Sequence, residues 1–244
     1  MMQQVALLEL SGVSKTFDSL IAIADIDLRL SEAEALGIIG PNGAGKTTLF
    51  NVITGDVKPN SGEIRFSGRS IGDLAPAERC RLGLGRTYQI PHPFGGMTVY
   101  ENVLVGATFG DGRSEAEGSA IALEVLERTG LIGKANALAG GLPLLDRKRL
   151  ELARALATRP RVLLLDEIAG GLTEHEVEDL IRVVKGLRAE GLAIIWIEHV
   201  VHALIAVVDR LVAINSGRLL MEGEPRAVMA SREVREVYLG ISGE

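Results

Sequence analysis

The sequence predicts an α/β fold built on a parallel core sheet, and three observations carry that reading. The glycine-rich run Gly40-Pro41-Asn42-Gly43-Ala44-Gly45-Lys46-Thr47-Thr48 sits between an apolar strand-like segment, Ala35 to Ile39, and a helix-like one, Thr47 to Thr54. Val162-Leu163-Leu164-Leu165 is apolar without alternation, as a strand covered on both faces must be, and it ends in Asp166-Glu167. Beyond it the chain alternates between helix and strand patterns, the rhythm of a parallel sheet with crossover helices.

Taken in order, Val5 to Leu10 and Ile26 to Leu30 have strand character, and Gly62 to Phe66 forms a third short strand after the turn-like Pro59-Asn60-Ser61-Gly62. With the strand Leu36 to Ile39 among them, the first third combines antiparallel edge strands with the beginning of the core. From Val99 to about Leu156 the pattern turns helical, with apolar periodicity through Ala120 to Leu131 and Leu150 to Leu156 and breaks at Gly110 to Gly112 and Gly140-Gly141. The chain therefore reads as one domain, in which a helical lobe, residues 89–159, is inserted into a core made of residues 1–88 and 160–244. A helix from Glu174 to about Glu190, a strand from Ala193 to Ile197, a helix from Val200 to Val207 and a strand from Arg210 to Ile214 follow. Asn215-Ser216-Gly217 then turns the chain into a last strand, Leu219 to Glu222.

Composition narrows the function classes. At 244 residues and 47% hydrophobic content the chain can bury a substantial core. Its formal charge of -6 is spread over interspersed signs, so it lacks the basic footprint that a nucleic acid partner needs. Cys80 is the only cysteine, which excludes an intrachain disulfide framework. No apolar stretch reaches the roughly 20 residues needed to cross a bilayer, and the amino-terminal region lacks a basic flank and long apolar core of the secretory type. The expectation is a soluble chain, which leaves room for a seat on a membrane protein.

The glycine-rich run matches the pattern Gly-x-x-x-x-Gly-Lys-Thr, a P-loop. Its glycines let backbone N–H groups turn toward phosphates with no side chain in the way, and the following helix adds its positive end. Gly40, Asn42, Gly43, Ala44, Gly45, Lys46, Thr47 and Thr48 are the expected phosphate cradle, with Lys46 on the β- and γ-phosphates and the Thr47 hydroxyl on Mg²⁺. Such a site also needs an acid at the end of a neighbouring buried strand. Asp166 is read as the organiser of Mg²⁺ and its water, and Glu167 as general base for the attacking water.

The P-loop, the strand Leu163-Leu164-Leu165-Asp166-Glu167 and the later Ile197-Glu198-His199, in that order over nearly the whole chain, resemble the nucleotide-binding subunits of ATP-binding cassette (ABC) transporters. Within them the chain is most similar to the ATPase subunits of branched-chain amino acid importers and the related urea or amide importers. That narrower resemblance rests on Thr87-Tyr88-Gln89, Met97 to Val103, Arg149 to Leu156, Ala169-Gly170-Gly171-Leu172 and the closing Val237-Tyr238-Leu239-Gly240. The resemblance implies a P-loop NTPase of ABC ATPase type: a mixed core sheet, an antiparallel β subdomain and an inserted helical lobe. It implies that Gln89 watches the γ-phosphate and Mg²⁺, that His199 contacts the γ-phosphate, and that the Phe17 ring stacks on adenine. It further implies ATP and Mg²⁺ as ligands, and a second ATPase subunit, self or paralogue, arranged head to tail. Transmembrane permease subunits that receive the drive, a solute-binding protein upstream, and a cytoplasmic position on the inner face of the plasma membrane complete the expected setting.

The chain also departs from the family pattern. The Leu-Ser-Gly-Gly-Gln-like signature falls, counted back from Ala153, on Leu142-Pro143-Leu144-Leu145-Asp146, while a look-alike, Leu138-Ala139-Gly140-Gly141-Leu142, lies four residues earlier; the sequence leaves both registers open. Ile168 stands where the family commonly has proline, and Thr173 where it commonly has Asp or Asn. Arg147-Lys148-Arg149 reads most simply as a solvated helix face, with a positive cluster that assists the partner's ATP as the alternative, and His92, His175 and His202 show no metal-binding spacing. Ile90 to Gly96 reads as a mobile loop, with Phe94 and Met97 suited either to docking on a membrane subunit or to packing within the lobe. Two rival readings remain: a soluble ABC ATPase of DNA repair or translation, and a regulatory subunit with negligible hydrolysis.

Overall fold

In the computed structural model, which describes residues 6–111 and 114–239, the chain opens with a long hairpin, β1 (Leu8–Phe17) and β2 (Leu20–Leu30). The core strand β3 (Ala35–Ile39) feeds the glycine-rich loop and α1 (Lys46–Thr54). Next come β4 (Ser61–Phe66), the two-residue β5 (Arg69–Ser70), α2 (Pro76–Arg81) and the short core strand β6 (Leu84–Arg86). Three helices follow, α3 (Val99–Asp111), α4 (Glu115–Arg128) and α5 (Leu144–Ala157). The chain then returns to the core with β7 (Val162–Asp166), α6 (Glu174–Ala189), β8 (Ala193–Ile197), α7 (Val201–Val207), β9 (Arg210–Asn215) and β10 (Arg218–Gly223). Two short helices end it, α8 (Pro225–Ala230) and α9 (Arg232–Leu239). Val5, Gly112 and Gly240 lie outside the described residues.

Two sheets form. One has the order β10-β9-β3-β8-β7-β6, parallel except for the antiparallel edge strand β10; the other is antiparallel, β2-β1-β4-β5. Strands β3, β7 and β8 are buried at every position, which explains their unbroken apolar sequences. Their side chains alternate between two cores. Leu163, Leu165, Ile194 and Trp196 pack with the helices α3 to α7, whereas Val162, Leu164, Ile195 and Ile197 pack with α1 and the antiparallel sheet.

The expected fold class stands, with local differences. The first two strands are longer than the apolar pattern suggested, because the hairpin continues as a twisted ribbon whose register shifts between Leu10 and Thr16. Strands β5 and β6 and helix α2 carry too few residues to show a period. For α2 a capping signal was present: Pro76 at the first position and Glu78 at the third, whose carboxylate accepts the Ala75 N–H at 2.8 Å. Behind it the buried Arg79 donates to Val52 O and Ile53 O, both at 2.8 Å, and so satisfies carbonyls at the end of α1.

Candidate nucleotide site

The loop between β3 and α1 is shaped by its glycines. Gly45 sits at φ 101°, and a Cβ there would lie 2.3 Å from Ala22 O, so no other residue fits without moving the hairpin. At Gly43, φ 79°, a Cβ would meet nothing within 4 Å: the loop leaves a concavity open above it. Lys46 reaches back into this loop, donating to Gly40 O at 2.7 Å and Pro41 O at 3.0 Å. Burial pushes the Lys46 pKa down, and the negative charges of Glu167 and Asp166 oppose that shift. A cation held by neutral carbonyls beside two carboxylates, under first-turn N–H groups that have no acceptor within their helix, is a site built for an anion.

The cleft above the loop measures ≈ 520 Å³ and is lined by Phe17, Asn42, Gly43, Ala44, Gly45, Lys46, Thr47, Thr48, Gln89 and Glu167. Gly40 lies beneath it, buried against Ile214 O. Phe17, 43% exposed at the end of β1, belongs to the cleft wall and not to the core; Lys15 Nζ stands 5.0 Å from its ring centroid.

The opposite wall is the carboxyl end of β7. Asp166 is buried, and its Oδ2 accepts from Arg86 Nη2 at 2.9 Å. Burial raises the Asp166 pKa, and Arg86 opposes that rise. Glu167 sits in the left-handed region, φ 48°, with its N–H given to Ile197 O at 2.9 Å. Strain of this kind persists where the surroundings over-determine it. The Glu167 carboxylate is gripped from two sides, Oε2 accepting from Gln89 Nε2 at 2.6 Å and Oε1 lying 2.7 Å from His199 Nε2. Gln89, Glu167 and His199, drawn from three distant parts of the chain, therefore form one hydrogen-bonded row.

Several contributors escaped sequence reasoning. Glu198, buried to 1%, accepts the Ala169 N–H and the His199 N–H, both at 2.8 Å, and so sets both loops beside Glu167. A glutamate directly after the apolar β8 and before His199 was the available signal. Lys148 is buried, which corrects the reading of residues 147–149 as a solvated face; Arg147 alone is exposed, and Arg149 is half-buried toward Asp179. Residues 90–96 are tied down, since Arg154 Nη1 donates to His92 O at 2.9 Å and the Asn102 carboxamide pairs with Phe94 N and O. The α5 helix starts at Leu144 with Pro143 at its cap and no side-chain cap bond, so the usual register of the signature is the one that opens the helix. The look-alike forms a separate 3-10 turn, Ala139–Gly141. Thr173 caps α6, its hydroxyl and N–H both donating to Glu176 Oε2 at 2.8 Å.

The donor set suits a hard divalent cation held mainly by phosphate and water: Thr47 is exposed in the cleft, Gln89 lines the same cleft, and Asp166 is a buried carboxylate at the end of β7. Among the described residues no group of three or more His, Cys, Asp or Glu could hold a metal without such help.

Sheet, glycine loop and carboxylate strand end together define a P-loop NTPase of the ABC ATPase fold. The sequence model of the ABC transporter family matches residues 23–170, and the chain belongs to that family. It is 38% identical to the high-affinity branched-chain amino acid transport ATP-binding protein BraF of Pseudomonas aeruginosa, over 96% of this chain and 98% of that one. Among solved structures it superposes on a nucleotide-free ATP-binding cassette from an ABC transporter with a TM-score of 0.87, at 30% identity over 98% of this chain and 100% of that one. It also superposes on a dimeric cassette in a post-hydrolysis state bound to ADP and Pi, with a TM-score of 0.81 at 26% identity, over 90% of this chain and 99% of that one.

Proposed function

We propose that this chain is the ATP-hydrolysing subunit of an ABC importer for branched-chain amino acids or a related small polar solute such as urea or an amide. The observation that carries the reading is the row Gln89–Glu167–His199, whose first two members line the cleft above the P-loop while His199 holds Glu167 from the far side. ATP would lie with its base on Phe17 and its phosphates over residues 40–48. Mg²⁺, when bound, offsets phosphate charge and is served by Thr47, Gln89 and Asp166. Lys46 leaves the Gly40 and Pro41 carbonyls for the phosphates, Glu167 takes the proton of the attacking water, and His199 with Gln89 holds that carboxylate in place. Two such subunits, identical or paralogous, would close head to tail on two ATP molecules and drive a permease at the inner face of the plasma membrane. The similarity to BraF supports the solute class, and the dimeric cassette supports the pairing.

Among the described residues no helix is long and apolar enough to cross a membrane, and the reading assigns the membrane-spanning part to a separate permease. The test is Mg-ATP turnover by the purified protein, with its mass in ATP followed by light scattering. Turnover with nucleotide-dependent dimerisation supports the reading. Nucleotide binding without turnover, alone or with a co-expressed permease, favours the regulatory alternative that the irregular signature motivates. Transport by the complex reconstituted with its permease and binding protein tests the solute class. Lys46→Ala is expected to weaken ATP binding about 10- to 150-fold, the worth of a hydrogen bond to a charged group, measured by titration with a fluorescent ATP analogue.

A further inference from the structure

Helix α5 carries Lys148, Glu151 and Arg154 three residues apart, so they share one face. That face grips the segment around Gln89 along its length. The Glu151 carboxylate takes a backbone hydrogen bond from Tyr88, Arg154 Nη1 donates to His92 O at 2.9 Å, and the Arg154 guanidinium lies 4.9 Å from the centroid of the Phe94 ring. Lys148 does more. Its Nζ donates to Gln89 O at 2.8 Å and also to Glu167 O at 3.1 Å, so that one ammonium joins α5, the Gln89 segment and the end of β7.

Burying an ammonium is costly unless it is paired. Lys148 is 4% exposed, and here the offset comes from those two carbonyls and the surrounding charges of Glu198, Glu167, Asp166 and Glu151. Its acceptor at residue 167 belongs to the peptide whose φ of 48° is unfavourable for a side-chain-bearing residue. The other restraints on that backbone are the Glu167 N–H to Ile197 O and the Gly170 N–H to Glu167 O at 3.3 Å. A plain packing role would be met by leucine or methionine; a cation with two backbone acceptors on two different segments is a positioning device.

We propose that Lys148 is a positioning residue for hydrolysis: it holds Glu167 and Gln89 in mutual register and makes that register depend on where α5 stands. A hydrogen bond of this type spans about 2.7–3.2 Å. A displacement of α5 by about 1 Å relative to β7 therefore costs Lys148 one of its two acceptors and frees the Glu167 backbone to relax. The inference rests on the function proposed above, in that Glu167 is the base whose placement is being set.

The experiment compares the full chain with Lys148→Met, which keeps the length and removes the charge, and Lys148→Arg, which keeps donors. Turnover is read as kcat and KM for Mg-ATP, and hydrogen exchange of segments 88–94 and 167–171 is followed without nucleotide. Lys148→Met is expected to lower kcat about 10- to 100-fold, the effect of misplacing a catalytic group by about 1 Å, with KM within about threefold of wild type. Exchange should rise in those two segments alone, and Lys148→Arg should recover part of both losses. Wild-type kcat and exchange in Lys148→Met overturn the proposal, as does a rise in exchange spread evenly over the chain. If the methionine variant does not fold, Lys148→Gln is read in the same way. Absence of turnover in the wild-type protein counts against the proposed function, and the exchange pattern then decides the positioning role by itself.

Discussion

Glu167→Gln is expected to lower Mg-ATP turnover about 10²- to 10⁴-fold, the contribution of a positioned general base, while ATP binding persists. The substitution keeps the shape of the side chain and removes its ability to take a proton. In the native site both carboxylate oxygens face donors, Gln89 Nε2 and His199 Nε2. A carboxamide offers an acceptor oxygen to Gln89 Nε2 and an NH₂ to His199 Nε2, which accepts in its other tautomer, so the row can persist while the proton acceptor is lost. The binding apparatus, by contrast, lies in residues 40–48 and is untouched. Phosphate release by the purified protein and light scattering in ATP measure the two halves of the expectation: turnover collapses, and an ATP-bound dimer accumulates. Turnover within about tenfold of wild type would remove Glu167 from the role of base.

The parts of this molecule that were legible in its sequence are local. A glycine loop followed by Lys-Thr, an apolar run closed by Asp-Glu, and a strand closed by Glu-His are each written within ten residues, and each takes the expected place in the structure. The register of the signature needed more, because the run in the usual register, Leu142 to Asp146, matches the pattern poorly while a look-alike lies four residues earlier; in the structure it is the former that opens α5 at Leu144. What no local pattern could show is a buried cation. Lys148 finds its acceptors 59 and 19 residues away, and Arg86 finds Asp166 at a separation of 80 residues. In isolation each reads as a surface side chain, since lysine and arginine are almost never fully buried without partners. The same holds for β6: three residues with a glycine at the centre carry no strand signal until β7 lies beside them.

That dependence on distant partners makes Arg86 the position where the largest loss of stability is expected. Its side chain is 6% exposed at the end of β6. It donates to Asn51 Oδ1 at 2.7 Å, Asp56 Oδ2 at 3.2 Å and Asp166 Oδ2 at 2.9 Å, with the Phe50 and Tyr88 rings at 5.6 and 4.9 Å. Arg86→Met leaves the Asp166 carboxylate buried without its partner and should destabilise the protein by about 3–5 kcal/mol, the cost of breaking a buried ion pair from one side. The loss depends on pH, and its sign follows from the protonation of Asp166. Burial already raises the pKa of this carboxyl above its unfolded value, against the pull of Arg86. The folded state therefore binds the proton more tightly than the unfolded one, and the penalty for ionising Asp166 grows as pH rises from the unfolded pKa through the folded one. Removing Arg86 raises the folded pKa further and enlarges that penalty. The stability gap between wild type and Arg86→Met is thus expected to be smallest in acid and to widen toward neutral pH. Thermal unfolding of both proteins at several pH values, with chelator present, measures it. A gap that is constant with pH would mean that Arg86 acts through Asn51, Asp56 and the two rings, and that Asp166 keeps its charge without help.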